Sequence, residues 1–160
     1  MYFLARKWTR NSHGAALAGV IYAFNGIMQN SLMWPNNIAA FGCLPWVVLA
    51  VQSGCRTGGR TLVGAALIAA VQMLTGAPEV ILCTWVLLIM VVAGESVRAP
   101  RAAMVAAVPR FVMIVVITAL LAAVQLVPFF DLVVHSGRFD PRQKLEWFIH
   151  WYGWANYFLP

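Results

Sequence analysis

The sequence predicts an all-α fold: a polytopic integral membrane protein of about five transmembrane helices, followed by an outer interfacial aromatic segment. Three observations carry this. Of the 160 residues 62% are hydrophobic and only 10% charged, with a mean hydropathy of +0.78, whereas soluble domains average about 25% charged residues. Phe111 through Phe130 are twenty consecutive residues without a charged side chain. As a helix they would span roughly 30 Å, the hydrocarbon thickness of a bilayer. The basic residues, finally, fall in short segments that alternate with apolar runs.

Composition also excludes several classes. A net charge of +6 and a pI near 9.8 raise the question of nucleic acid. The basic residues form no stripe and no binding motif, so no nucleic-acid partner is expected. There is no P-loop, dinucleotide fingerprint, HExxH or GxSxG, and no cofactor is expected. Cys43, Cys55 and Cys83 lie in or beside apolar segments without metal-ligand spacing, which reads as small buried thiols and no metal site. Arg6, Lys7 and Arg10 before an apolar region mimic a signal peptide. Everything downstream is equally hydrophobic, which favours a retained first span.

Taken in order, residues 1–13 are a short basic lead with aromatic residues, suited to the headgroup zone. From Asn11 to Cys55 there are 45 residues with no Lys, Arg, Asp or Glu, too many for one span. Trp34-Pro35-Asn36-Asn37 divides them, with an interfacial Trp, a helix-stopping Pro and two possible Asn caps. The first two spans are then about 14–32 and 37–53. Pro45 would kink the second, which membranes tolerate when neighbours satisfy the freed carbonyl. Asn25 and Gln52 are placed to hydrogen-bond across helices.

A flexible basic loop, Ser53 to Arg60, follows. Between Arg60 and Glu95 the only charge is Glu79, and Thr75-Gly76-Ala77-Pro78 splits this stretch into spans of about 61–75 and 78–94. Both are short, so their turn should lie at or slightly below the membrane surface. Pro78 suits the first helical position, and Glu79 then falls in the first turn, where the helix dipole favours it. After the polar loop Glu95–Arg101 and a lead-in through Pro109 comes the fifth span, about 111–130, which Pro128 should bend near its end. The polar stretch Ser136–Glu146 and the aromatic-rich stretch Trp147–Phe158 complete the chain, the latter as an interfacial segment. The whole, 1–160, reads as one transmembrane helical region and as a fragment of a larger membrane protein.

Lys and Arg count three before the first span, none, two, none and three in the next connections. That is the positive-inside pattern for a cytoplasmic N-terminus. Three more, Arg138, Arg142 and Lys144, follow the fifth span against the rule. Glu79 and the segment after Phe130 should therefore face the exterior.

The candidate chemistry lies on that outer face. If the last helix continues past Pro128, Asp131, His135 and Arg138 share one face at i, i+4 and i+7. Arg138 can give a phosphate bidentate donors, and a carboxylate such as Glu79 or Asp131 can act as general base. Trp151, with Trp147 and Trp154, can stack on a sugar or lie in an aromatic belt. Asp131 with Arg138 can equally be a surface ion pair, and Glu79 a dipole-satisfying first-turn residue.

Three stretches carry a family resemblance. Ala123-Val124-Gln125-Leu126-Val127-Pro128 with Ser136-Gly137-Arg138, the turn Gly76-Ala77-Pro78-Glu79, and Trp151-Tyr152-Gly153-Trp154-Ala155-Asn156-Tyr157-Phe158 together resemble segments of the YfhO-like family. Those large bacterial membrane proteins are grouped with the GT-C glycosyltransferases. In place of Ala77 the family often has a histidine. The resemblance implies sugar transfer from a polyprenyl-phosphate donor on the outer face of the bacterial inner membrane. Glu79 and Asp131 would be the catalytic carboxylates, and Arg138, His135 and Trp151 would bind the substrate. Membrane lipids and the remainder of the full-length protein would be its partners. The rival class is a non-enzymatic membrane transporter or scaffold protein, with which the helix breaks also agree.

Overall fold

A computed structural model describes residues 1–98 and 101–135. These residues are helical, with no strand among them. The helices are α1 (Tyr2–Thr9), α2 (Ser12–Ala23), α3 (Gly26–Asn30), α4 (Pro35–Thr57), α5 (Arg60–Met73), α6 (Pro78–Arg98), α7 (Arg101–Leu121) and α8 (Ala123–His135), with a single 3₁₀ turn, Ser31–Met33, before α4. Two are long and apolar enough to cross a membrane, Pro35–Thr57 and Pro78–Glu95. The pair Val105–Leu121 and Ala123–His135, bent by 78°, adds a third if taken as one span.

The expected spans 37–53 and 78–94 correspond to α4 and α6, and both helices run longer than expected. The basic loop is shorter because α4 continues to Thr57. Arg110 supports that last turn, donating through Nη1 to the carbonyls of Cys55 (3.0 Å) and Arg56 (2.7 Å), which a helix end leaves without intrahelical partners. The expected span 61–75 is α5, whose 14 residues cover only about 21 Å. The expected span 14–32 is divided. Asn25 does not reach another helix: its Oδ1 accepts from the Met28 amide (2.9 Å) and its Nδ2 donates to the Tyr22 carbonyl (2.8 Å), so it caps α3 where α2 stops.

The expected span 111–130 is divided as well, at Ala122 and not at Pro128. The Ala122 carbonyl accepts both Gln125 and Leu126 amides at 3.0 Å, starting α8 in a new direction. Pro128 sits inside α8 as its sixth residue. Neither Asn caps α4, because Pro35 takes the first helical position behind Trp34. Pro78 opens α6 as expected, with Glu79 in its first turn.

Helix α4 is the centre, touching α5, α6 and α7 and carrying α1 on its remaining side. It runs antiparallel to α5, whose Gln72 donates to the Ala40 carbonyl (3.0 Å), and α6 meets it at both ends, Val80 clustering with Ala40 near one and Glu95 accepting from Gln52 (2.8 Å) near the other. The interior is built of small residues and a few polar ones. Val47, Val48, Val51, Cys55, Ala65, Ala66 and Ala69 form the main cluster with Leu4, Leu62, Leu88 and Ile114, while Leu17, Ile21, Leu67, Leu82, Ile89, Val112 and Leu120 are exposed. Large apolar side chains outside and small ones at the contacts are the arrangement that a lipid solvent permits. The composition and the helices agree on a membrane protein.

Candidate functional site

The candidate site is built where α5 turns into α6. Met73 ends α5, and Gly76 takes a left-handed φ of 73°, open to glycine without steric cost. Asn36 Nδ2 donates to the Gly76 carbonyl at 3.2 Å, pinning the turn to the start of α4. Ala77 is fully buried, clustered with Ala40 and Val80. Opposite the turn lies the α7–α8 joint. Ala122 is fully buried there, and a side-chain carbon on Gly76 would come within 3.3 Å of Gln125 Nε2.

Between turn and joint lies a cavity of about 490 Å³, lined by Met73, Gly76, Pro78, Ile81, Leu82, Trp85, Ala122, Gln125, Leu126 and Phe129. Among the described residues of that lining Gln125 carries the one amide, and Trp85 adds an indole N–H. A cavity of this size and character holds hydrocarbon or aromatic matter and offers one amide to orient it. Among the described residues it has no group that would take or give a proton.

The residues expected to carry chemistry stand around it unequally. Glu79 is exposed in the first turn of α6, between the lining residues Pro78 and Ile81. Asp131 and His135 form the expected i, i+4 pair: His135 Nδ1 lies 3.2 Å from Asp131 Oδ1 and 2.9 Å from the Asp131 carbonyl oxygen. Both side chains are more than 70% exposed, and an exposed pair of this kind contributes at most a few tenths of a kcal/mol. Gln125, Leu126 and Phe129 fall on one face of α8, continuing the side on which the joint residue Ala122 lies. Asp131 and His135 project from the opposite side. Among the described residues no hydrogen bond or ion pair joins Glu79 to them. Arg138 and Trp151 lie outside the described residues, as does the interfacial aromatic segment.

Sequence reasoning missed the polar groups that hold the site's frame. Gln72 is 1% exposed and donates through Nε2 to the Ala40 carbonyl and to Thr84 Oγ1, both at 3.0 Å. It thereby ties α5 to α4 and α6 within two turns of the cavity. Its signal was an amide in the middle of an otherwise charge-free apolar stretch, the same signal that picked out Gln52. Cys83, expected to be buried, is exposed on α6, because its position falls on the outward face. Among the described residues, no three His, Cys, Asp or Glu side chains gather as metal ligands would. No protein-family model matches this chain, and no characterised protein or solved structure does either.

Proposed function

We propose that this chain is part of a GT-C-like glycosyltransferase of the bacterial inner membrane, the part that holds a polyprenyl-phosphate-linked sugar. One observation carries this reading: the apolar cavity under the α7–α8 joint, beside the first turn of α6. An isoprenoid chain suits such a lining, and Glu79 stands beside it. In this reading Arg138, with His135 nearby, takes the phosphate, and Trp151 meets the sugar. Glu79 or Asp131 acts as general base toward the acceptor hydroxyl. Asp131 and His135, turned from the cavity, suit the donor's head better than its tail. Five crossings, made by α2–α3, α4, α5, α6 and α7–α8, put the N-terminus in the cytoplasm and the cavity at the outer face. The remainder of the full-length protein completes the site.

The test uses the full-length protein in lipid nanodiscs with a photoreactive polyprenyl phosphate. Cross-links are expected on Leu82, Trp85 or Leu126, and Leu126→Trp, which fills the cavity, should abolish them. Cross-linking that is indifferent to Leu126→Trp would remove the cavity from the reading. Glu79→Gln should leave insertion intact and lower sugar transfer about a hundredfold or more.

The 78° break between α7 and α8 favours a second reading, since discontinuous helices build transporter sites. Movement of the intact lipid across vesicles without sugar transfer would decide for it.

A further inference from the structure

At the opposite end of the bundle, α1, α4 and α6 enclose a second depression, of about 720 Å³, that the proposed chemistry does not use. Its lining includes Lys7, Trp8, Arg10, Arg56, Met90 and Glu95. The charges there do not balance. Glu95 is fully engaged: Oε1 accepts from Gln52 Nε2 (2.8 Å) and Arg56 Nη2 (2.9 Å), and Oε2 accepts from Arg56 Nε (3.2 Å). Gln52 is held in turn by Trp8 Nε1 at 3.4 Å. One carboxylate thus answers one guanidinium, and two cations remain.

Lys7 has only a long contact, 3.5 Å, to the Ser53 hydroxyl. Burial, and then the neighbouring Arg56, hold its ammonium below the usual lysine value against the opposing pull of Glu95. Arg10, at the left-handed end of α1 with φ 55°, makes no ion pair among the described residues. The wall on α6 is different in kind: Met90 is exposed and Val91 half-buried beside it, with Gly94 between them and Glu95. The groove is mostly polar and cationic, with an apolar patch at Met90 and Val91 on its α6 side.

We propose that this groove binds the phosphate headgroup of an anionic lipid, with the phosphate at Lys7 and Arg10 and an acyl chain along Met90 and Val91. The site lies at the end that carries every Lys and Arg of the described residues, the end that the positive-inside rule assigns to the cytoplasm. Basic pockets between helices on that side meet anionic lipid by general electrostatics. The apolar wall favours a lipid over free phosphate, which has no use for it. Arg56, already paired with Glu95, lends its field without leaving its partner.

The experiment measures thermal unfolding and lipid retention of the purified full-length protein with phosphatidylglycerol, phosphatidylcholine or inorganic phosphate. Preference for phosphatidylglycerol over phosphatidylcholine should be roughly tenfold or more. Lys7→Gln/Arg10→Asn should erase most of it, with Asn chosen because it tolerates the left-handed conformation at position 10. Arg6→Gln/Arg60→Gln removes the same charge outside the groove and should keep the preference. Equal loss in this control would make the effect diffuse surface charge and overturn the site. Inorganic phosphate protecting as well as phosphatidylglycerol would overturn the lipid. If the double variant loses its cooperative melt in phosphatidylcholine, Arg10→Asn alone carries the test, and an unchanged preference there overturns the proposal.

Discussion

Pro45 removes the amide that would bond the Phe41 carbonyl one turn earlier, and the Tyr22 hydroxyl donates to that carbonyl at 2.7 Å. A proline in a dry helix is tolerable for this reason. The exchange makes a measurable prediction. Tyr22→Phe should cost about 1 kcal/mol, since it leaves a part-buried acceptor bare. Pro45→Ala restores an amide to the same acceptor, so Tyr22→Phe should cost much less in that background. A double-mutant cycle on unfolding in detergent reads the coupling, and strict additivity would show that the two groups do not share the carbonyl. Gln72→Leu keeps the volume but loses both donations, with an expected cost of about 0.6–2 kcal/mol.

What the sequence shows at this scale is that a polar residue in an apolar run must find a partner. Which partner is decided by the fold. Gln52 reaches across to Glu95, while Asn25 turns back on its own chain. The two are indistinguishable by position alone.

Elements were legible where breakers stand in the sequence. Pro78 begins a helix as expected, and Pro35, expected only to stop one, begins the next; each takes the first helical position, because a missing amide costs nothing there. The α7–α8 joint was not legible, since Leu121-Ala122-Ala123 contains no breaker and Pro128 drew attention two turns away. Packing sets the joint: Ala122 is fully buried and Gln125 passes over Gly76. Gly54 shows the same dependence on close approach. A side-chain carbon there would lie 3.1 Å from Ile114 Cδ1 and 3.2 Å from both Ala65 Cβ and the Leu62 Cα. Ile114 can yield, but the Leu62 backbone cannot without moving α5. Gly54→Val should therefore destabilise by about 1–3 kcal/mol and loosen the α4–α5–α7 contact, seen as a lower melting temperature and faster proteolysis near Arg60. An unchanged melt would mean that the three helices are less tightly apposed.

Across the whole molecule the fold sorts charge more sharply than the sequence alone reveals. Helix α1 delivers Arg6, Lys7 and Arg10 to the end of α4 that carries Arg56, where Arg60 starts α5 and Arg110 caps the α4 end. The other end holds Glu79, with no Lys or Arg among the described residues. This asymmetry agrees with the proposed orientation but leaves one question that helix length cannot decide. Helix α2 has 12 residues and α3 only five, so neither crosses roughly 30 Å alone, and α5 is barely longer. Yet α5 ends level with the start of α4, as the Asn36–Gly76 bond shows, and α2, packed on α1, brings Tyr22 to Phe41 in the first half of α4, so α2 ends toward the same side. Five crossings then require a locally thinned or tilted arrangement. Single cysteines test this in the membrane-inserted protein after Cys43, Cys55 and Cys83 are replaced. His13→Cys and Arg60→Cys should be shielded from a membrane-impermeant thiol reagent applied outside, while Met33→Cys and Glu79→Cys should react. If His13→Cys and Met33→Cys lie on one side, α2 and α3 do not cross and the count falls. If all four responses invert, the cationic groove faces outward and its anionic-lipid assignment loses the leaflet on which it depends.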